Sequence, residues 1–189
     1  MRKIILWIGI SLDGYIEGPN QDISWHKVDA EFHQYANDEL AEMSAFLQGR
    51  KTHALMASFW PGAAGKHPDN KQLVQFAGIW THMPKHVYSR TWTDTGWNTT
   101  VHQEVVKAEV EALKAQPGND MTVGGADLAA EFMRQGLIDE YRIFVHPVIV
   151  GAGKKLFQEG VPKMELELQE TRQFGNGVMM LVYSAMSRS

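Results

Sequence analysis

Cysteine is absent from the 189 residues. That excludes disulfides, thiolate catalysis and cysteine-based metal centres, and it fits a reducing compartment, so a cytoplasmic protein is expected. No apolar run approaches the roughly 18 residues that a membrane span needs. The nearest candidate, IILWIGIS after Arg2-Lys3, imitates a signal peptide but is short, lacks a small-residue cleavage site and meets Asp13. It reads as a strand instead. Positive charge is not in excess either: the formal net charge is −4, and no basic face with interleaved aromatics points to nucleic acid. The eight histidines are scattered without ligand spacing, so no metal site is expected. Repeats, low-complexity tracts and dividing linkers are lacking. What is present, 44% hydrophobic and 21% charged residues, suits one globular domain with a sizeable core.

Residues 121–157, MTVGGADLAAEFMRQGLIDEYRIFVHPVIVGAGKKLF, organise the rest. Met121, Thr122 and Val123 form a strand that runs into Gly124-Gly125. A helix follows at once, with Leu128, Phe132, Met133 and Leu137 on one side. Two glycines allow a sharp turn and a close approach by another molecule. The helix behind them has unpaired N–H groups and the positive end of its dipole, which together favour a phosphate. A Gly-Gly before a helix is also compatible with a plain tight turn, and the full G-x-G-x-x-G fingerprint is absent. Residues 141–150 then read as a strand covered on both faces. Such a βαβ unit carries ligands at the carboxyl ends of its strands.

In chain order, residues 3–10 are a buried strand and residues 11–20 an exposed, mobile loop rich in Gly, Asp and Pro. Residues 25–43 read as a helix with Val28, Phe32, Tyr35 and Leu40 on its core side. A short strand at residues 44–47 and GRKT lead into a helix ending before Trp60-Pro61-Gly62. Residues 63–70 are a loop, residues 71–76 a short helix and residues 79–82 a strand fragment. Strands are expected at residues 85–89 and 97–101. Residues 103–115 form an amphipathic helix ended by Pro117-Gly118, with Val106, Val110 and Leu113 on one face. Residues 164–174 and 178–186 are strands joined in a hairpin by Gly175-Asn176-Gly177. Alternating strands and helices predict an α/β domain with a mostly parallel central sheet and helices on both faces, closed by a C-terminal antiparallel hairpin.

Three strand ends share one chemistry. Gly49-Arg50-Lys51-Thr52 sets two cations and a hydroxyl around a helix start; Ser89-Arg90-Thr91 sets a guanidinium between hydroxyls; Gly124-Gly125 offers bare backbone N–H groups. Together they point to one ligand with several phosphates. Arg90 suits the 2′-phosphate of NADPH.

ISLDGYIEGP (residues 10–19), GRKTH (49–53), FWPG (59–62), VYSRT (87–91), GGADLAAEFMRQGLIDEY (124–141) and HPVIVGAGKKLF (146–157) span nearly the whole chain. In these motifs it resembles the dihydrofolate reductase-like family that includes the reductase domain of the bifunctional riboflavin-biosynthesis deaminase-reductase. It is most similar to the small stand-alone members. The resemblance implies a three-layer α/β/α fold, NADPH as hydride donor and, by analogy, a homodimer. Position by position it assigns Arg50, Lys51 and Thr52, with Gly49, to the cofactor phosphates. Ser89, Arg90 and Thr91 fall at the 2′-phosphate ribose, and Gly124, Gly125 and Ala126 at the pyrophosphate. Gly14 and Ile16 of the first loop would cover the nicotinamide. Trp25, with Phe32, falls near the substrate. The carboxylate that true dihydrofolate reductases place early in the first long helix has only approximate counterparts in Asp29 and Glu31, which argues against dihydrofolate.

The expected function is NADPH-dependent reduction of a small planar heterocycle, resembling 5-amino-6-(5-phosphoribosylamino)uracil reductase. The alternatives are a pterin reductase or an NADP(H)-binding regulator without turnover. Asp13 and Asp29 are the candidate proton sources. The competing reading of Asp13 is a loop cap and that of Asp29 a helix N-cap, and both caps are the readier readings. His146, before Pro147 on an apolar strand, reads as a satisfied core histidine. Lys154-Lys155 is either a partner for a substrate phosphate or plain surface.

Overall fold

The computed structural model describes residues 1–186. The first strand, β1 (Ile4–Ser11), lies near the middle of an eight-stranded sheet. Its apolar residues divide between two cores: Ile4, Leu6 and Ile10 belong to one, and Trp7 packs against the other side. That division is the period-2 alternation of a strand covered on both faces. A short strand, β2 (Tyr15–Glu17), and a 3₁₀ turn (Pro19–Gln21) follow.

Helix α1 (Ala30–Ala41) starts five residues later than the apolar pattern suggests. Asp29 is its N-cap, with a carboxylate oxygen accepting from the Phe32 N–H at 2.9 Å. Val28 therefore lies before the helix and is exposed rather than in the core. Strand β3 (Ala45–Gly49) runs directly into α2 (Arg50–Lys66). That helix passes through Trp60-Pro61-Gly62 instead of ending there. Trp60 packs on Phe76 of the next helix at 4.4 Å between ring centroids, and Ala63 is fully buried. Burial of that side offsets the hydrogen bond that Pro61 cannot make.

Helix α3 (Lys71–His82) is capped by Asn70 and absorbs residues 79–82, which are helical rather than a strand. Phe76, Ala77 and Trp80 form its buried stripe, a helical spacing that fixes the segment's conformation. Strands β4 (Lys85–Tyr88) and β5 (Thr99–His102), helix α4 (Lys107–Ala115), strand β6 (Met121–Gly124) and helix α5 (Ala126–Arg134) complete the parallel part. Strand β7 (Glu140–His146) stops before Pro147, short of the expected Val150. A two-residue strand, β8 (Lys154–Lys155), pairs antiparallel with β2. The segment expected to be a free loop is thereby tied down. Among the described residues the antiparallel pair β9 (Leu166–Gln173) and β10 (Met179–Ala185) comes last.

The sheet order is β5-β4-β3-β6-β1-β7-β10-β9, parallel from β5 to β7. Strand β10 joins β7 antiparallel. Helices α4 and α5 supply Val110, Leu128, Phe132 and Met133 to one core. Helices α1, α2 and α3 cover the opposite face with Phe32, Leu40, Met56, Phe76 and Trp80. This is the three-layer α/β/α architecture. It gathers the carboxyl ends of β1, β3, β4 and β6 along one edge, where ligands sit in open parallel sheets.

Candidate functional site

Strand β3 is flanked by β6 on one side and β4 on the other, with Gln48 opposite Gly124 and Gly49 opposite Tyr88. Two helix starts, at Gly49 and Gly125, therefore lie side by side. Neither has a side-chain cap, so each leaves N–H groups unpaired at the positive end of its dipole. Gly125 has φ of +91°, and a Cβ added there would lie 2.6 Å from the Thr52 hydroxyl. Only glycine lets the two starts come this close.

Between them is a pocket of about 220 Å³ lined by Gly49, Arg50, Lys51, Thr52, Gly125 and Ala126, with Ile16 over it. Lys154 reaches the same pocket and pairs with Asp127 in the first turn of α5. Gln158 donates to the other Asp127 oxygen at 2.9 Å. The carboxyl of Asp127 stays below its ordinary range, because these bonds and the Lys154 charge outweigh its burial. The acid in the first turn of α5 is thus neutralised, while Glu17 of the first loop also lines the pocket.

Ser89, Arg90 and Thr91 follow β4 beside this pocket without lining it. The Ser89 hydroxyl oxygen accepts from the N–H groups of Thr91 and Trp92, at 3.1 and 3.0 Å. This shapes the turn that leaves the Arg90 side chain exposed.

A second, larger chamber of about 410 Å³ opens from the same edge and shares Ile16, Glu17, Thr52 and Gly125 with the first. Its walls are mostly apolar: Trp7 and Ile8 from β1, Phe32 and Leu40 from α1, Met56 and Trp60 from α2. Gln48 lies at its floor, its amide oxygen 3.1 Å from Nδ1 of buried His53. Gly124 lines it too, whereas Gly14, at φ of +86°, lies outside both chambers in a turn whose carbonyl accepts from Leu156 N–H.

Neither candidate proton source lies in the chamber. The Asp13 carboxylate accepts from the Ser11 hydroxyl at 2.6 Å and from the N–H groups of Val150 and Gly151 at 3.0 and 2.7 Å. The Ser11 bond first, and then the backbone bonds, hold its carboxyl down to about 2. Asp13 is an ionised clasp between two loops. Asp29 is committed to its cap. Glu31 accepts from Gly175 N–H and faces Arg172, so α1 sends no carboxylate into the chamber. The indole N–H of Trp25 donates to the Asp22 carbonyl, and its ring stands edge-on to the imidazoles of His26 and His146 without lining the chamber. Phe32 does line it.

His26 and Trp7 carry no signal in the sequence, and His146, a core residue, also faces the chamber. His26 and His146 stack with centroids 4.8 Å apart and both face the chamber. Lys27 N–H donates to His146 Nδ1 at 3.0 Å, which leaves the ring proton on Nε2. Burial, then the His26 and Lys27 charges, push the His146 imidazole down to about 4. Burial lowers His26 as well. The signal that locates this pair is Gly9: a Cβ there would lie 2.9 Å from His146 Nε2.

The sequence profile of the RibD C-terminal domain matches residues 2–180. YyaP of Bacillus subtilis (strain 168) is 33% identical over 183 residues, which cover 96% of this chain and 94% of the relative. A putative riboflavin biosynthesis protein from Shewanella sp. PV-4 superimposes with a TM-score of 0.74 at 22% identity, covering 99% of this chain and all of that one. RibD of Acinetobacter baumannii gives 0.65 at 16% identity, with 98% of this chain matched to 58% of its own length.

Proposed function

The chain belongs to the RibD C-terminal domain family, a reductase-like family, and on that premise we propose an NADPH-dependent oxidoreductase acting on a small planar heterocycle. One observation carries the reading: a cationic pocket between two uncapped helix starts opens, at Thr52 and Gly125, into an aromatic chamber. That junction suits a molecule with phosphates at one end and a flat ring at the other.

The donor set fits such a cofactor. Gly49, Arg50, Lys51, Thr52, Gly125 and Ala126 would hold the pyrophosphate, and Arg90 and Ser89 the 2′-phosphate. Ile16 and Gly124 would bound the nicotinamide. The cofactor supplies the hydride when bound. The chain's own part is to orient two rings face to face and to keep water out, which Phe32, Leu40 and Trp60 do by filling the far wall.

Neither Asp13 nor any acid of α1 faces the chamber, and the one carboxylate in its lining, Glu17 of the first loop, stands at the junction with the phosphate pocket. His146 Nε2–H and His26 are the groups placed to hold an ordered water or a polar substrate edge, and water is the proton source this arrangement supports. The test is oxidation of NADPH, followed by absorbance, across uncharged and charged planar heterocycles. Turnover with at least one of them is expected. Saturable NADPH binding with no oxidation by any acceptor contradicts the catalytic reading and leaves a binding protein.

A further inference from the structure

The larger chamber carries little charge of its own. Neither lysine nor arginine occurs among its lining residues, and its one carboxylate, Glu17, sits where it meets the phosphate pocket. Its imidazoles, His26, His33 and His146, are all lowered by burial and are uncharged at neutral pH. The lysines available for a substrate phosphate lie elsewhere. Lys154 is in the smaller pocket against Asp127, and the Lys155 ammonium lies 5.7 Å from the Tyr15 ring. The exposed residues of the lining are Ile23 and Val28, without charge, and a cation outside the lining, exposed Lys27, stands between His26 and Val28.

A phosphate brought into such a space exchanges water for aliphatic and aromatic walls, with no cation among the lining residues to pair it and a carboxylate nearby. A flat uncharged ring loses far less by the same transfer and gains stacking area. Two lining residues also carry a buried polar atom without a hydrogen-bond partner, Trp7 Nε1 and His26 Nε2.

We infer that the acceptor is an uncharged, unphosphorylated planar ring compound. The inference deepens the reductase reading and rests on it for the chamber's role. It sets this chain apart from reductases whose pyrimidine carries a phosphoribosyl group.

Two matched pairs test it by intrinsic tryptophan fluorescence, with and without saturating NADP⁺. The first pair is 1-naphthol and 1-naphthyl phosphate, with the phosphate on the ring. The second is riboflavin and flavin mononucleotide, with the phosphate on a longer arm. In each pair the unphosphorylated member binds more tightly, by about tenfold or more. Val28→Lys narrows that gap in both pairs, which added bulk alone would not explain. Equal or tighter binding of a phosphorylated member to the unmodified protein overturns the inference, and so does failure of both uncharged rings to bind. An NADPH titration of the same sample separates the two readings. If NADPH fails to bind while the pairs behave as stated, the reductase reading falls and the chamber's ligand class stands.

Discussion

Gly125 shows how far single residues carry the account. Its φ of +91° and the 2.6 Å from its virtual Cβ to the Thr52 hydroxyl exclude a side chain where a phosphate must approach backbone N–H groups. This was legible in the sequence, because Gly-Gly before a helix has a backbone reason. So were Arg50, Lys51 and Thr52, whose positions follow from a strand ending at Gly49. Arg90 is the finer case: it is exposed on a turn held by the Ser89 hydroxyl, beside the phosphate pocket. Arg90→Ala should weaken NADPH by about 1.5–3 kcal/mol, the worth of a hydrogen bond to a charged group, and NADH by much less. Parallel titrations with the two coenzymes check this, and equal losses would remove Arg90 from the 2′-phosphate. His26, Trp7 and Gln48 were not legible. Each is an ordinary residue until β1, β3 and β7 are set in register, and no local pattern announces it.

Among the elements, sequence and structure part where burial overrules a local signal. Pro61 looked like the end of α2, yet Trp60 and Ala63 are packed so well against α3 that the helix continues to Lys66. The segment 79–82 is apolar enough for a strand, but Trp80 completes a helical stripe begun by Phe76. The glycine-rich first loop is the more consequential difference. It reads as mobile, but β2 pairs with β8, and the Asp13 carboxylate bridges to Val150 and Gly151. That clasp places Ile16 over both chambers. Asp13→Asn should therefore speed amide exchange at Val150 and Gly151 and across residues 15–17, while NADPH oxidation is retained in part. Abolished turnover with unchanged exchange would restore Asp13 as a reacting group.

Taken whole, the molecule follows from its alternation of strands and helices. Ala45 and Leu47 face one core and Phe46 the other, so a sheet with two covered faces is written into three residues. The buried imidazoles give the molecule its response to acid. His146 and His86 are both pushed down to about 4, chiefly by burial, from an ordinary 6.5. Between those values the unfolded chain binds protons that the folded chain refuses, so stability falls as pH drops from about 6.5 to about 4, and the contribution of these two imidazoles is level above about 6.5. Asp13 acts in a lower window, where stability is lost as pH falls below 3.8 towards about 2. Thermal unfolding across pH should show the upper slope, and His146→Gln should flatten it; an unchanged slope in that variant would contradict the assignment. The central claim, that separate strand ends converge to grip one phosphorylated dinucleotide, is tested most directly by calorimetry of NADPH binding to the unmodified protein and to Gly125→Val. The account predicts a single saturable site in the first and its loss in the second, with the fold retained by circular dichroism. No heat with the unmodified protein, or equal affinity in both, would contradict it.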